Sequence, residues 1–417
     1  MFKRIPGTKD ILPEEVSNWQ AIEEATRKIF SLYNYKEIRP PVIEEAALFT
    51  RSLGESAEIV QKQMFLIKRD EDTYALRPEG TASIVRAYLE NNLDKTTGLM
   101  KVYYIGPMFR AERPQKGRLR QFHHLGSEVI GSQEPHLDVE VISLAGKLLE
   151  SYGIEGYEIK INSLGCAKDK KGFTENLRVM LKDKLAKLCD DCNVRFKQNV
   201  LRILDCKNEG CIEVVKELDI RGGHLCPECK THFDKVTDGL NSLNINYKID
   251  PFLVRGLDYY TRTVFEIIHN GLGAQNALGA GGRYDNLVHE LGGPDAGAIG
   301  FAFGMERLLL VINKALPAAA KNLVYVITLG DQAKREGLKL LESLRCAGIP
   351  SDTDYENKSI KGALRKANDL AARYVLIIGE DEIKKGIIAF KDMASGEQKE
   401  IKQTELTDYL KGLLQRG

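Results

Sequence analysis

Apolar residues near the start of the chain recur with the period of a helix. Pro13 opens the run, Glu14 and Glu15 suit a helix N-terminus, and Val16, Trp19, Ile22, Ile29 and Tyr33 fall along one side. The pattern predicts an amphipathic helix packed on a core. Short runs with strand character follow through residue 130, interrupted by a predicted helix over Thr81–Asn91, and Leu137–Tyr152 reads as another helix. Residues 165–245 change character: they are rich in Lys, Asp and Cys and poor in long apolar runs, which predicts an insertion with its own small fold. Strand patterns resume near Tyr247 and continue to Phe303, and Gly304–Lys314 reads as an apolar helix. This order fits an antiparallel sheet with interspersed helices (an α+β domain) better than alternating βαβ units. After a predicted linker at Asn313–Asn322 the pattern alternates. Strands are expected at Leu323–Leu329, Tyr374–Ile378 and Gly386–Phe390, and helices at Asp331–Ala347, Ser359–Leu370 and Thr404–Gln415. That is a separate α/β domain with a mixed or parallel core.

Length agrees with more than one domain, since 417 residues exceed what a single hydrophobic core usually supports. The expected division is 1–316, interrupted by the 165–245 insertion, and then 322–417. A formal net charge of +1 gives no global field to attract nucleic acid, so any RNA contact must come from local patches. No apolar run approaches the roughly 20 residues of a membrane span. Met1–Asp10 lacks the apolar centre of a signal peptide, so a cytoplasmic protein is expected.

The densest local patch is Phe109–Phe122, where Arg110, Arg113, Lys116, Arg118 and Arg120 surround a single Glu112. Strand patterns flank it, Val102–Met108 before and Gln121–Ile130 after. A basic loop between antiparallel strands suits a polyphosphate, because the guanidinium fork matches phosphate oxygens. A solvated hairpin tip is the plainer alternative. The strands decide between them. With period-2 alternation, Phe122, His124, Gly126, Glu128 and Ile130 share a face, and Met108, Arg110 and Glu112 share another. Half-buried strand faces are normally apolar. A face with an aromatic, a histidine, a carboxylate and an arginine points to a site.

This stretch resembles motif 2 of the class II aminoacyl-tRNA synthetases, most closely that of the histidine-specific family. Four further segments agree, in order: Tyr35–Val42 with Pro41 resembles motif 1, Leu76–Thr81 (L-R-P-E-G-T) a substrate loop, Arg255–Thr261 (R-G-L-D-Y-Y-T) a histidine-specific segment, and Gly300–Leu308 motif 3. The C-terminal pattern is similar to the anticodon-binding domain of several class II enzymes. The resemblance implies activation of L-histidine by ATP with Mg2+, transfer to the 3′ end of tRNA(His), and a homodimer built around motif 1.

It also implies residue roles. Arg110, Arg255 and Arg307 correspond to the catalytic arginines, Arg255 doing at the α-phosphate what other class II enzymes assign to a metal ion. Glu112 and Phe122 correspond to the adenine contacts and Arg118 to a γ-phosphate ligand; Arg307 starts the predicted apolar helix, where an ion pair with Glu306 or another acid is its bland alternative. Glu79 and Thr81 would hold the substrate amino group. Glu128 and Tyr260, with Tyr284 as a second phenol, would read the imidazole, since a carboxylate and a phenol can satisfy both ring nitrogens. Gly279–Gly282 would let backbone approach a ligand, or else form a glycine-rich turn. The chain departs from the family at His124, where Gln is usual; a protonated His124 beside the substrate ammonium would repel it, so His124 is expected to act neutral. Arg113, Gln115 and Lys116 are candidate contacts to the tRNA acceptor end. On a predicted C-terminal helix Lys358, Lys361, Arg365 and Lys366 either meet RNA phosphates or form a solvated face.

Six cysteines cluster as Cys189-x2-Cys192, Cys206-x4-Cys211 and Cys226-x2-Cys229. These spacings suit structural zinc. Six thiols exceed one four-cysteine centre, however, and the resemblance assigns zinc no part in the chemistry, so reduced, unliganded thiols are the preferred expectation. Cys166 and Cys346 read as lone thiols. The competing functional expectation is a catalytically inactive paralogue that regulates ATP phosphoribosyltransferase; such proteins usually lack the C-terminal domain and the ATP-binding residues, both present here.

Overall fold

The structure, a computed structural model, describes residues 2–55, 57–115, 117–218, 220, 225–273, 276–312, 322–356 and 359–414. The chain divides into two compact units, Met1–Leu316 and Pro317–Gly417.

The first unit is organised by an eight-stranded sheet. Across it the strands run Lys36–Glu37, Met100–Phe109, Gln121–Ile130, Ala298–Gly304, Ala277–Arg283, Thr261–His269, Tyr157–Ser163 and Lys248–Ile249. The six long strands are antiparallel throughout; only the two-residue edge strands pair in parallel. Alternation sends every second side chain to a helical layer. Tyr103, Leu125, Val129, Phe265, Ile267, Ile299 and Phe303 pack with Trp19, Ile22, Phe30, Ile142 and Leu240 from the helices Pro13–Leu32, Pro135–Ser151 and Pro227–Ser242. The predicted N-terminal helix is thus present, with Trp19 and Ile22 inward. The opposite face carries Tyr104, Glu128 and Tyr284.

Pairing register explains that polar face. Met108 lies across from Phe122, Gly106 from His124, Tyr104 from Gly126 and Val102 from Glu128. The strand ends at Phe109, so Arg110 and Glu112 lie beyond it, at the start of the loop. Met108 does not belong to the site, as alternation suggested, but is fully buried in the core. Glycine opens the space for Tyr104: a Cβ at Gly126 would sit 2.5 Å from its ring. The Gly279–Gly282 run is not a turn but part of a central strand, and its Gly279 and Ala280 line the cleft described below. A Cβ at Gly281 would strike Phe301 at 2.6 Å and Phe265 at 2.8 Å, so the strand must be bare for those rings to pack.

The 165–245 segment folds mainly as the helices Ala167–Leu181, Asp190–Gln198, Glu209–Lys216 and Pro227–Ser242. Its buried Leu177, Leu181, Val200, Ile203 and Val214 join the same apolar cluster as Leu253, Tyr259 and Tyr260. The helix after Gly304 is shorter than its apolar run suggested, Met305–Val311, and most of the predicted linker lies outside the described residues.

The second unit has a five-stranded sheet in the order Ser351–Thr353, Val324–Thr328, Tyr374–Ile378, Ile387–Asp392, Gln398–Lys402. The first three are parallel and the last two antiparallel, so the sheet is mixed. Asp331–Cys346 and Leu406–Leu414 cover one face and Ile360–Asp369 the other, over apolar layers around Val326, Leu376 and Phe390, and around Tyr325, Ile327 and Val375. Among the described residues no helix is long and apolar enough to cross a membrane.

Candidate active site

The polar sheet face floors a cleft with about 1050 Å³ of free space, part of it open to solvent. It gathers groups from across the sequence: Glu79 from the loop before the Thr81–Glu90 helix and Thr81 from its first position, Arg110, Glu112 and Arg118 from the basic loop, Phe122, His124 and Glu128 from one strand, Arg255 and Tyr260 from another segment, and Tyr284 and Arg307. Every sequence-predicted histidine, ATP and arginine position therefore lines a single cavity. Arg113 and Gln115 do not; they are exposed at the loop tip, where the Gln115 and Arg118 backbones exchange hydrogen bonds. Lys116 lies outside the described residues.

At one end sits a buried carboxylate pocket. Glu128 is 1% exposed. Thr81 Oγ1 donates to its Oε1 at 2.7 Å and Tyr284 Oη to its Oε2 at 2.6 Å. Burial pushes its pKa up to about 8; the hydroxyl donors pull the other way without prevailing. A side chain at Gly300 would collide with this carboxylate, so the motif 3 glycine makes room for it. Glu79 is also buried, and its oxygens accept the Thr81 and Ala82 N–H groups at 2.7 and 2.9 Å, capping the helix start. Burial raises the pKa of Glu79 as well. Tyr260 packs against Tyr259, ring centroids 4.7 Å apart and planes tilted by 47°.

Arginines line the rest of the same cleft. Arg110 Nε donates to the Pro78 carbonyl at 2.9 Å, and its guanidinium lies 5.3 Å from the Phe122 ring centroid. Arg118 lies 3.3 Å from Glu112. Arg307 donates to the Gly117 carbonyl at 3.0 Å and the Ala277 carbonyl at 2.7 Å, joining the basic loop to the central strand. It is not paired with Glu306, whose carboxylate takes the His123 N–H and lies 3.0 Å from His123 Nδ1. Burial, then Arg118 and Arg110, lower the pKa of Arg307. Arg255 donates to Glu266 Oε1 at 2.8 Å, while its Nε is buried with no hydrogen-bond partner among the described residues. Clustered guanidiniums with an unused buried donor are poised for an anion.

His124 also lines the cleft, edge-on to Phe122 at 5.1 Å. Its Nδ1 is buried without a partner among the described residues, and burial, then Arg110 and Arg307, hold its pKa well below the usual histidine range. A pKa that low leaves the ring neutral at physiological pH.

Four groups escaped the sequence reading: Tyr104 and Tyr259 line the cavity, whereas Glu266 and Arg77 lie outside its lining. Tyr104, Tyr259 and the counter-ion Glu266 look like ordinary strand or core residues in sequence; Tyr104 was legible only through its pairing with Gly126. Arg77 is buried, and its Nη1 holds the Pro40 and Pro41 carbonyls at 2.8 and 3.3 Å, tying the motif 1 stretch to the substrate loop. The cysteines also differ from expectation. Cys189, Cys192, Cys206 and Cys211 form one cluster, whereas Cys226 and Cys229 join Cys166 and Asp169 in another. Cys166 is therefore not a lone thiol; the chain reversal that brings it to Cys229 was invisible in the spacing. Cys346 is exposed.

Known proteins share this architecture. The profile of the histidyl-tRNA synthetase family matches residues 7–308, and that of the anticodon binding domain matches residues 323–413. The chain is 45% identical over 415 residues to the histidine–tRNA ligase of Thermotoga petrophila, covering 98% of each, and 46% identical over 404 residues to that of Natranaerobius thermophilus, covering 95% of this chain and 96% of the other. Apo histidyl-tRNA synthetase of S. aureus superposes with a TM-score of 0.81 at 36% identity, covering 99% of this chain and all of the other. With full-length relatives at this identity and a fold to match, the chain belongs to the histidyl-tRNA synthetase family.

Proposed function

We propose that this chain activates L-histidine with ATP, supplied as its Mg2+ complex, and transfers the histidyl group to the 3′ end of tRNA(His). The observation that carries the reading is the meeting of Arg110, Arg255 and Arg307 with the Glu128 pocket in one cleft. In the first step the histidine carboxylate attacks the α-phosphorus and pyrophosphate leaves; in the second the terminal ribose hydroxyl attacks the activated carbonyl and AMP leaves. In-line displacement at phosphorus asks for positioning and charge neutralisation and needs no enzyme nucleophile. Arg110 and Arg255 neutralise the α-phosphate, the free Arg255 Nε supplying a donor as charge builds. Phe122 stacks adenine, Glu112 accepts from its exocyclic amine, and Arg307 and Arg118 take the outer phosphates, Arg118 turning from Glu112 as ATP enters.

Glu128 with Tyr260 and Tyr284 reads the imidazole, and Glu79 and Thr81 receive the amino group. A ring without N–H would leave buried polar atoms unpaired, which is how such a pocket discriminates. Neutral His124 adds no like charge to the ammonium. The protein works as a cytoplasmic homodimer through the motif 1 region; exposed Ile43, Leu66 and Ile67 on the adjoining three-stranded sheet supply apolar area for a second copy. The test is ATP–pyrophosphate exchange run across the amino acids. Exchange dependent on histidine alone is expected; no exchange with any amino acid would sink the reading and restore the regulatory alternative.

A further inference from the structure

Seven of the eight cysteines lie in the two clusters, leaving only Cys346 outside. Small buried hydrophobes would have no reason to seek one another. Within each cluster all four ligand atoms lie within 4.8 Å of one another. The Sγ atoms of Cys189 and Cys206 are 3.8 Å apart. A disulfide needs about 2.05 Å, so these thiols are unbonded. A tetrahedral zinc with Zn–S of about 2.3 Å sets its sulfurs about 3.8 Å apart. The two clusters also remove the arithmetic objection to zinc: the six cysteines between Cys189 and Cys229 do not compete for one centre.

We propose that the chain holds two structural zinc ions, one bound by Cys189, Cys192, Cys206 and Cys211 and the other by Cys166, Asp169, Cys226 and Cys229. The same local device serves both. Cys189 and Cys192 are the N-cap and third residue of one helix, Cys226 and Cys229 of a second, and Cys166 and Asp169 of a third. At a helix start free N–H groups and the dipole favour thiolate and carboxylate. Backbone donors are already aimed at the sulfurs: Cys189 N–H to Cys211 at 3.2 Å, Cys166 N–H to Cys229 at 3.2 Å and Asn208 N–H to Cys206 at 3.5 Å. Such contacts orient ligands and stabilise their charge.

The second centre joins the point where the chain leaves the sheet to the helix by which it returns. Cys166 follows the Tyr157–Ser163 strand by three residues, and Cys229 lies in the Pro227–Ser242 helix that packs beneath the sheet. Its neighbours reach the cleft: Arg262 N–H donates to the Gly165 carbonyl at 2.7 Å, and Lys170 Nζ donates to the Asp258 and Tyr260 carbonyls at 2.5 and 3.2 Å. This zinc thus fixes the footing of the segment that presents Tyr260.

The full chain, produced in zinc-supplemented medium and purified without chelator, should contain two zinc ions per chain by elemental analysis. Cys211→Ala and Cys229→Ala should each retain one. X-ray absorption at the zinc edge should report four sulfur neighbours in Cys229→Ala, and three sulfurs with one oxygen in Cys211→Ala. Zero or one zinc in the wild-type protein overturns the assignment, and four sulfurs in Cys211→Ala overturns the role of Asp169. Should either variant fail to fold, titrating the wild-type protein with an organomercurial decides: release of two zinc ions per chain supports the proposal, and release of fewer refutes it.

Discussion

The two units bury different things. In the C-terminal unit the interior is made mainly of Val, Leu, Ile, Phe, Tyr and Ala, with Thr353 and the half-buried Asp354 at its margin. In the first unit Arg77, Glu79, Glu128, Asp138, His232 and Arg283 are all buried. Burying an ionisable group costs free energy unless it is paired or hydrogen-bonded. A fold carries that cost where chemistry requires it. The contrast separates a unit that displays its charges on the surface from one that holds them preorganised inside.

The contrast is broken most severely at Arg255. Arg255→Ala should cut histidine-dependent ATP–pyrophosphate exchange by about 10³-fold, in line with removal of one preorganised donor from a developing charge, while histidine binding by calorimetry remains detectable. An exchange rate within tenfold of wild type would remove Arg255 from the chemistry. Glu128→Gln comes next, with a loss of roughly 10²-fold in kcat/KM for histidine. It carries a pH signature. Glu128 keeps its proton in the folded apo protein up to about pH 8 and loses it near 4.5 when unfolded. Between those values the unfolded state binds fewer protons, so this group makes stability fall as pH rises, opposite to a salt-bridged carboxylate. The stability advantage of Glu128→Gln over wild type should widen from pH 5 to pH 8 in denaturant titrations; a constant difference would contradict the buried, protonated state.

Asp138 sharpens the same point without touching substrate. It is fully buried, pairs with Arg283 and lies 2.8 Å from His232 Nε2, while Arg283 also holds Asp285 at 3.0 Å. The cluster fixes Tyr284, the next residue after Arg283. Asp138→Ala should destabilise the first unit by ~3 kcal/mol, because it removes one of two counter-charges from a buried guanidinium and the carboxylate partner of a buried imidazole. The C-terminal unit's unfolding transition should not move.

In that unit the effects are expected to be smaller and salt-dependent. Lys361 and Arg365 are exposed on the Ile360–Asp369 helix, and Lys366 lies 3.6 Å from Asp354; Lys358 lies outside the described residues. Lys361→Ala with Arg365→Ala should weaken tRNA binding a few-fold and reduce the salt slope by about 0.9 for each phosphate no longer neutralised, with exchange in the absence of tRNA unchanged. An unaltered slope would make this helix ordinary solvated surface. The smallest effect is expected at His124. With its pKa well below the usual range, the ratio of histidine affinities between wild type and His124→Gln should stay flat from pH 6 to 8. A break near 6.5 would show an ionising ring.

Much was legible in the chain because it is local. Period-3.6 and period-2 patterns located the Pro13–Leu32 helix, the Gln121–Ile130 strand and most of the C-terminal unit. The elements missed there have physical reasons. Ser351–Thr353 is three residues long, and Gln398–Lys402 is an edge strand whose half-solvated face reads as polar. In the cleft the loop arginines and the Phe122, His124, Glu128 face could be read directly. Tyr104 and Glu266 could not, because their relevance depends on which strand lies beside which.

By itself the sequence determined most of the elements, the motif residues and the family they resemble, since helix and strand period, turn chemistry and the charge of a loop are properties of neighbours along the chain. Only the tertiary structure decided which partners those residues meet. It set Glu266 against Arg255, gave Glu306 to His123 instead of Arg307, and brought Cys166 to Cys229 across 63 residues. Such pairings are settled by sheet register and helix packing, which bring distant segments together and fix each group's desolvation and hydrogen bonds.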